Sequence, residues 1–407
     1  MRSENLYFVD FGLEHISILG CKIYENKLSK ITLLLSKQIK IPPQRIQNVF
    51  SQEENFNELI NIIADAEKEL KTSISSIILV SKIQSISLCL SQNSLTFKNT
   101  QKITQSHKEK LASYAINNFH QTTNNEQILD VICNNFSLDE QQLVKNPYKM
   151  PCRKLTLNAS IISIKNHFSS HMSAILERCK IHIKHYISSC TASCSLIQDE
   201  LMDNKNYLFV DIGSSTTEFC IFAKGCIIYL DRVNLGGLDM TRDISEELVV
   251  YINDADKVKK KISQKELQNT NDANTKFVAK QVETIADARL IEIITYVKKT
   301  IEENKKLKNL KLDTIFVCGG IAKYKNTTKI ISDIFYTKTK ILTPDYIQKN
   351  TTFGSKIKEE YLKIDNVQLF GALNFYLTNL NYYNNAKRGF LFNFPSKISC
   401  LLKDLLY

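Results

Sequence analysis

The sequence has no run of about 18 consecutive apolar residues, the length a helix needs to cross a bilayer. Its opening, MRSENLYFVD, has no apolar core of the kind a secretory signal carries. A protein made in and kept in the cytoplasm is therefore expected. The eleven cysteines include no CxxC pair and are scattered through apolar segments, as at Cys89, Cys179, Cys220 and Cys318. They read as reduced, small buried hydrophobes rather than as a disulfide framework. Cys190 and Cys194 stand four apart with no second pair to complete a zinc site, and His167 and His171 repeat that spacing. Surface or core residues at helical spacing are the expectation for all four.

What is present is bulk: 407 residues, 43% of them hydrophobic, enough for two domains with ample cores. The formal charge of +11, mostly lysine, permits an anionic partner but does not choose between a lipid surface and nucleic acid. No nucleic-acid partner is expected from the motifs below.

Short apolar runs at Leu6 to Val9 and Ile16 to Leu19 flank Gly12 and read as a hairpin. Leu59, Ile62, Ile63, Ala66 and Leu70 form a helical stripe within Phe56 to Leu70, and Ile77 to Val80 reads as a buried strand. From about residue 84 the pattern changes. Ser85 to Leu90, Gln127 to Cys133 and Lys154 to Ile164 are strand-like, Thr104 to Phe119 is helical, and Lys145-Asn146-Pro147 marks a turn, together a small inserted domain. Phe168 to Cys179 is expected to be helical. Phe209 to Val210, Phe219 to Phe222 and Cys226 to Leu230 then read as a three-strand meander with a turn at Lys224-Gly225, and Met240 to Tyr251 as a helix. Lys257 to Lys276 reads as a polar loop or reduced subdomain, and Val278 to Asn304 as a long helix.

Three motifs carry chemistry. YFVDFGLEHISIL at residue 7 and LFVDIGSSTTEFCIF at residue 208 are near-copies: an apolar strand, an aspartate at its end, a glycine turn and a second strand. DTIFVCGGI at residue 313 is a strand ending in Gly319-Gly320. A tight turn exposes backbone N–H groups, and Gly213 followed by Ser214, Ser215 and Thr216 adds hydroxyl donors without bulk, so polyphosphate oxygens can be wrapped. Asp10 beside Gly12, and Asp211, are placed to hold Mg²⁺ through water. Two such hairpins facing each other would clamp one phosphate chain. At Gly319-Gly320 a Cβ would occupy the space of an adenosine ribose and base.

In this order FVDFG, FVDIGSSTTEF and FVCGGIAKYKN resemble the phosphate-1, phosphate-2 and adenosine motifs of the actin, Hsp70 and sugar kinase superfamily. Within it the chain is most similar to the bacterial cell-division FtsA family. The likeness runs through Lys145-Asn146-Pro147, Glu177-Arg178-Cys179, Gly225, Leu235-Gly236-Gly237, Thr241, Asp243-Ile244 and Ala255-Asp256-Lys257-Val258-Lys259. The resemblance implies an α/β, actin-like ATPase fold, with two lobes of mixed sheet flanked by helices. It also implies ATP and Mg²⁺ as cofactors, Asp256 at the ribose and Lys259 near the base or phosphates. On residues alone, DADKVKKK is equally a solvated charge run. The expected division is 1–83 for the first lobe, 84–165 for the inserted α+β domain and 166–200 for the return to the first lobe. The second lobe is 201–380, with a reduced subdomain at about 253–300, followed by a linker at 381–394 and a terminal helix at 395–407. Asn379 to Asn385 belongs to a polar, Asn-rich stretch ahead of that helix.

That helix is legible on physical grounds. In PSKISCLLKDLLY, Ile398, Leu401, Leu402, Leu405 and Leu406 occupy an arc of about 140° at ~100° per residue, with Lys397, Ser399, Lys403 and Asp404 opposite. Lys387-Arg388 upstream favours anionic headgroups. A weak, reversible membrane anchor is expected, strengthened when many copies polymerise. The resemblance further implies self-association into filaments and other division proteins met through the inserted domain. The C-terminal peptide of the tubulin-like protein FtsZ would be received beside Arg289. The chain departs from the family where Leu13 and His15 replace the usual hydroxyl and lysine, and where Glu218 replaces an aspartate. No residue stands out as a general base toward water, so weak or no ATPase activity is expected. A PilM-like pilus-assembly protein or a small-molecule kinase on the same fold are the alternatives.

Overall fold

The computed structural model describes residues 3–12, 15–24, 31–40, 53–81, 86–123, 125–144, 146–166, 173–174, 176–178, 180–197, 205–223, 226–263, 272–343, 346, 348 and 367–385. Its strands are β1 (Ser3–Phe11), β2 (His15–Tyr24), β3 (Ile31–Lys40), β4 (Ser76–Ser81), β5 (Ile86–Lys102), β6 (Glu126–Leu138), β7 (Gln142–Val144), β8 (Pro151–Lys165), β9 (His182–Ser188), β10 (Tyr207–Ile212), β11 (Thr217–Ala223), β12 (Cys226–Val233), β13 (Thr314–Cys318) and β14 (Thr339–Ile341). Its helices are α1 (Glu53–Leu70), α2 (Gln105–Thr122), α3 (Ser189–Ser195), α4 (Gly237–Glu247), α5 (Ile252–Ser263), α6 (Ala273–Glu303), α7 (Thr327–Phe335) and α8 (Val367–Asn385).

The two large sheets share one plan. The first runs β3-β2-β1-β4-β9 and the second β12-β11-β10-β13-β14. In each, an antiparallel meander is extended by two parallel strands, and the FVDxG strand, β1 or β10, lies at the centre. The sequence echo is thus one strand-turn-strand unit used once per lobe. β10 is buried at every position, which explains its unbroken apolar run.

The inserted domain is a four-stranded antiparallel sheet, β5-β8-β6-β7, with α2 on one face. Leu111, Ala115 and Phe119 of α2 pack there on Leu155, Leu157 and Ile161 of β8. The domain also touches the second lobe: Ser160 Oγ donates to Ile227 O at 2.8 Å, and Asn135 Nδ2 reaches Cys226 Sγ at 3.1 Å.

Several elements differ from the sequence reading. The alternation at Ser85 to Leu90 is only the start of the 17-residue β5, and β3, β9 and α3 were not anticipated. The stretch expected as a loop from Lys257 is helical to Ser263, and α6 begins at Ala273, capped by the Asp272 side chain on Thr275 N at 2.9 Å. The helix expected to reach Tyr251 ends at Glu247; Val249 takes a positive φ of 52° there and stands exposed. Asn379 to Asn385, read as linker, continues α8. The turns at Lys145 and Lys224-Gly225, most of Phe168 to Cys179, and the terminal helix at 395–407 lie outside the described residues.

Candidate functional site

β10 ends in Asp211 and Ile212, and Asp211 pairs across the sheet with Glu218 of β11 and Cys318 of β13. The following four residues turn tightly, Gly213 N donating to Thr216 O at 2.9 Å. The start of α4 is laid against this turn: Gly237 N donates to Gly213 O at 2.9 Å and Leu238 N to Ser214 O at 2.7 Å. Only glycine fits at 236, where a Cβ would stand 2.5 Å from Ser214 O. The carboxylate of Asp239 accepts from Gly236 N at 2.8 Å and finishes the helix start. Gly213, Ser214, Ser215 and Thr216 remain half-buried, their polar groups outside the strand pairing.

The two glycines after β13 serve different ends. Gly319 has φ +89°, and a Cβ there would meet Asp211 Oδ1 and Ile212 O, both at 2.4 Å. It is glycine because the end of β10 passes this close. A Cβ on Gly320 would meet nothing within 4 Å, so that position faces open space. The rest of the motif is tied to α6: Tyr324 OH donates to Asp287 at 2.5 Å and Lys325 pairs with Glu283 at 2.7 Å. Burial, with Asp287 beside it, raises the Tyr324 phenol far above its ordinary range.

DADKVKKK is solvated only in part: Asp254, Lys257, Lys260 and Lys261 are exposed, but Asp256 and Lys259 are not. Asp256 and Lys259 stand one turn apart on α5, on the face shared with Ala255 and Ile262, and are 7% and 6% exposed. Lys259 Nζ donates to Gly237 O at 2.8 Å and Thr241 Oγ1 at 2.5 Å, and lies 3.3 Å from Asp256 Oδ1. Lys260 closes on the other oxygen of Asp256. The lysine therefore braces the carbonyl of the residue whose N–H grips the Gly213–Thr216 turn.

The first hairpin closes in the same way, Gly12 N donating to His15 O at 3.0 Å. Asp10 stands at the end of β1, opposite Ser17 and beside Val80 of β4, and is 7% exposed against 1% for Asp211. Leu13 lies outside the described residues.

Between the lobes, α3 and α8 cross at backbone contact. A Cβ on Gly371 would be 2.2 Å from Ala192 O, Ser195 Oγ donates to Gly371 O at 2.6 Å, and Asn374 Nδ2 donates to Ser195 O at 2.7 Å. One turn earlier on α8, Gln368 Nε2 donates to Asp211 Oδ2 at 3.2 Å. Gln368 and Gly371 escaped the sequence reading; the run of small residues SSCTASCS was the available signal that a helix would pack this closely.

Arg289 is engaged within its own lobe. Its Nε and Nη2 donate to both oxygens of Asp243 at 2.5 and 2.7 Å, and Nη1 to Glu292 at 2.5 Å, tying α6 to α4. Hydrogen bonding to Asp243 raises its already high pKa further. Ile398, Leu401, Leu402, Leu405 and Leu406 fall outside the described residues.

Residues 208–359 match the family model for cell division protein FtsA, and residues 84–163 match the model for the SHS2 domain inserted in FtsA. The chain is similar to the cell division protein FtsA of Buchnera aphidicola subsp. Baizongia pistaciae, 24% identical over 394 residues, covering 89% of this chain and 90% of that protein. It is also similar to FtsA of Bacillus subtilis, 27% identical over 236 residues, 54% of this chain and 52% of the relative. Among solved structures it is similar in fold to the PilM-PilN type IV pilus biogenesis complex, with a TM-score of 0.60 at 11% identity over 92% of this chain and 98% of that one.

Proposed function

The chain belongs to the FtsA family of cell-division proteins as a divergent member, and from that premise we propose that it binds Mg-ATP between its lobes, self-assembles, and tethers the FtsZ ring to the cytoplasmic face of the inner membrane. The observation that carries the nucleotide part is the pair of equivalent turns, one per lobe, each following a buried strand-end aspartate and each closed by the same N–H to carbonyl bond.

The residues fit such a group. The turn hydroxyls of Ser214, Ser215 and Thr216 are half-buried beside a helix start that admits only glycine, and Gly320 borders open space. Mg²⁺ would be held through water by Asp10 and Asp211, of which Asp10 is the more open. When bound, the nucleotide supplies an anionic chain that both lobes can grip. The protein's own part is positional: Lys259 holds Gly237, Gly237 holds the second turn, and Gln368 holds the Asp211 carboxylate against the helices that join the lobes. Closing the two turns on one chain would fix the angle between lobes and so select an assembly-competent form. Turnover is weak or absent in this reading.

The FtsZ peptide would approach Arg289, where an incoming carboxylate has to displace Glu292 while Asp243 keeps its bidentate hold. The segment 395–407 would lie on anionic lipid. Calorimetry with Mg-ATP tests the nucleotide part: binding that Asp211→Ala weakens at least tenfold supports it, and no heat of binding overturns it. Sedimentation of FtsZ with anionic liposomes tests the tether, which fails if removing residues 395–407 leaves co-pelleting unchanged.

A further inference from the structure

Three buried cysteines, two from α3 and one from β11, meet beside the lobe contact. Cys190 and Cys194 lie one turn apart on α3, and Cys220 lies on β11 in the second lobe's sheet. Their sulfur atoms all fall within 4.8 Å of one another, Cys194 and Cys220 at 3.2 Å, and the three residues are 2%, 3% and 0% exposed. All are free thiols. A fourth, Cys318 of β13, is equally buried and sits 3.5 Å from Ser193 Oγ on α3. The missing second pair that made the Cys190/Cys194 spacing look inert is thus supplied in part by the fold.

We propose that Cys190, Cys194 and Cys220 form a thiolate site for a soft d¹⁰ cation, copper(I) or zinc(II), which pins α3 to the second lobe. A metal–sulfur bond of about 2.3 Å requires ligand sulfurs roughly 3.8 to 4 Å apart in tetrahedral or trigonal geometry. The cluster brackets that range, with Cys194 and Cys220 at 3.2 Å and every pair within 4.8 Å, so the thiols need only rotate apart or together slightly to hold an ion. Thiolates without oxygen or imidazole partners select thiophilic ions. Three converging sulfurs also argue for an ion over a disulfide, which uses two and leaves the third idle. Binding forms one metal–sulfur bond per cysteine and releases one proton from each thiol that ionises; no electrons are transferred. The ion would join α3, which carries the contact with Gly371 of α8, to β11, the strand paired with β10, and so stiffen the lobe junction from behind the phosphate-type turn.

The test uses the full chain, purified with a non-thiol reductant and loaded separately with zinc(II) and with copper(I). After removal of excess ion, elemental analysis should find about one ion per chain in one arm or both, falling at least tenfold in Cys194→Ser and Cys220→Ser but not in Cys89→Ser. X-ray absorption on the loaded wild type, which needs no variant to fold, should show an all-sulfur shell near 2.3 Å. Metal retained by Cys220→Ser, an oxygen or nitrogen shell, or no binding in either arm would overturn the site. So would a Cys194–Cys220 disulfide found by mass spectrometry in place of free thiols under the same reducing conditions.

Discussion

The two hairpins share a strand pairing and a closing hydrogen bond but differ in their surroundings. Both turn through four residues and both close with an N–H to carbonyl bond, at 3.0 Å after Gly12 and 2.9 Å after Gly213. Across from Asp10 stands Ser17; across from Asp211 stands Glu218. The second turn is gripped by the start of α4, and the strand end before it is passed closely by Gly319 and held at Asp211 by Gln368. The lesson is that turn closure tolerates loss of hydroxyl side chains, because it is made by the main chain. The surroundings that hold a turn in one place are a separate, more specific requirement.

The largest expected effect comes from removing the brace of the second turn. Lys259→Met takes away the donor to Gly237 O and Thr241 and leaves Asp256 buried with only Lys260 as a cation, which should cost about 3 to 4 kcal/mol in urea unfolding. Adding Asp256→Asn should recover a large part; if it does not, the pair is not what holds the turn. Next is Gly319→Ala, where a positive φ and a Cβ 2.4 Å from Asp211 Oδ1 combine to cost about 2 to 3 kcal/mol. Gly320→Ala, with open space beside it, should leave the melting temperature unchanged. If Gly320→Ala nevertheless weakens Mg-ATP binding, that open space is where the ligand lies.

The aspartates give a direct contrast. If the second hairpin dominates, Asp211→Ala should weaken Mg-ATP binding at least tenfold, about 1.4 kcal/mol, and Asp10→Ala only a few-fold, both by calorimetry. Equal losses would mean that the turns act as equals despite their different packing.

Acid should separate the lobes in another way. His185, on β9 of the first sheet against Tyr376 of α8, has its pKa pushed to about 4 by burial, with Lys184 beside it adding to the shift. Its ordinary value is about 6.5, so the neutral ring is favoured in the folded state. Stability from this group is full above pH 6.5 and is lost as pH falls toward 4. Allowing for its partial exposure, the loss is about 1 to 2 kcal/mol, and His185→Gln should flatten that part of the pH profile of urea unfolding.

What the sequence made legible follows from the range of its signals. The FVDxG echo located the central strand of each lobe, and the Asp-Gly-hydroxyl pattern located the second turn, because strand period and turn chemistry are local. β3 escaped because ITLLLSKQIK alternates only at its start and takes its place from pairing with β2. The close approach of Gly319 to β10 was not legible, because a double glycine does not say which neighbour it makes room for. Gln368 and the Cys220 contribution to the thiol cluster were invisible, since each meets its partners only after the lobes have come together.

The smallest predicted effect is the sharpest for the comparison itself. If the first turn has kept its backbone donors and lost only a hydroxyl, Leu13→Thr should restore one hydrogen bond to phosphate. A neutral hydrogen bond contributes about 0.5 to 1.5 kcal/mol net, so Mg-ATP affinity should rise two- to tenfold. Because the turn closes through the main chain, Gly12 N to His15 O, the substitution should not change the unfolding free energy by more than a few tenths of a kcal/mol. A tighter complex at unchanged stability would locate the asymmetry in that side chain. No gain in affinity would place it in the surroundings of the turn, where Asp211 has Gln368 and Gly319 as neighbours and Asp10 has Ser17 and Val80.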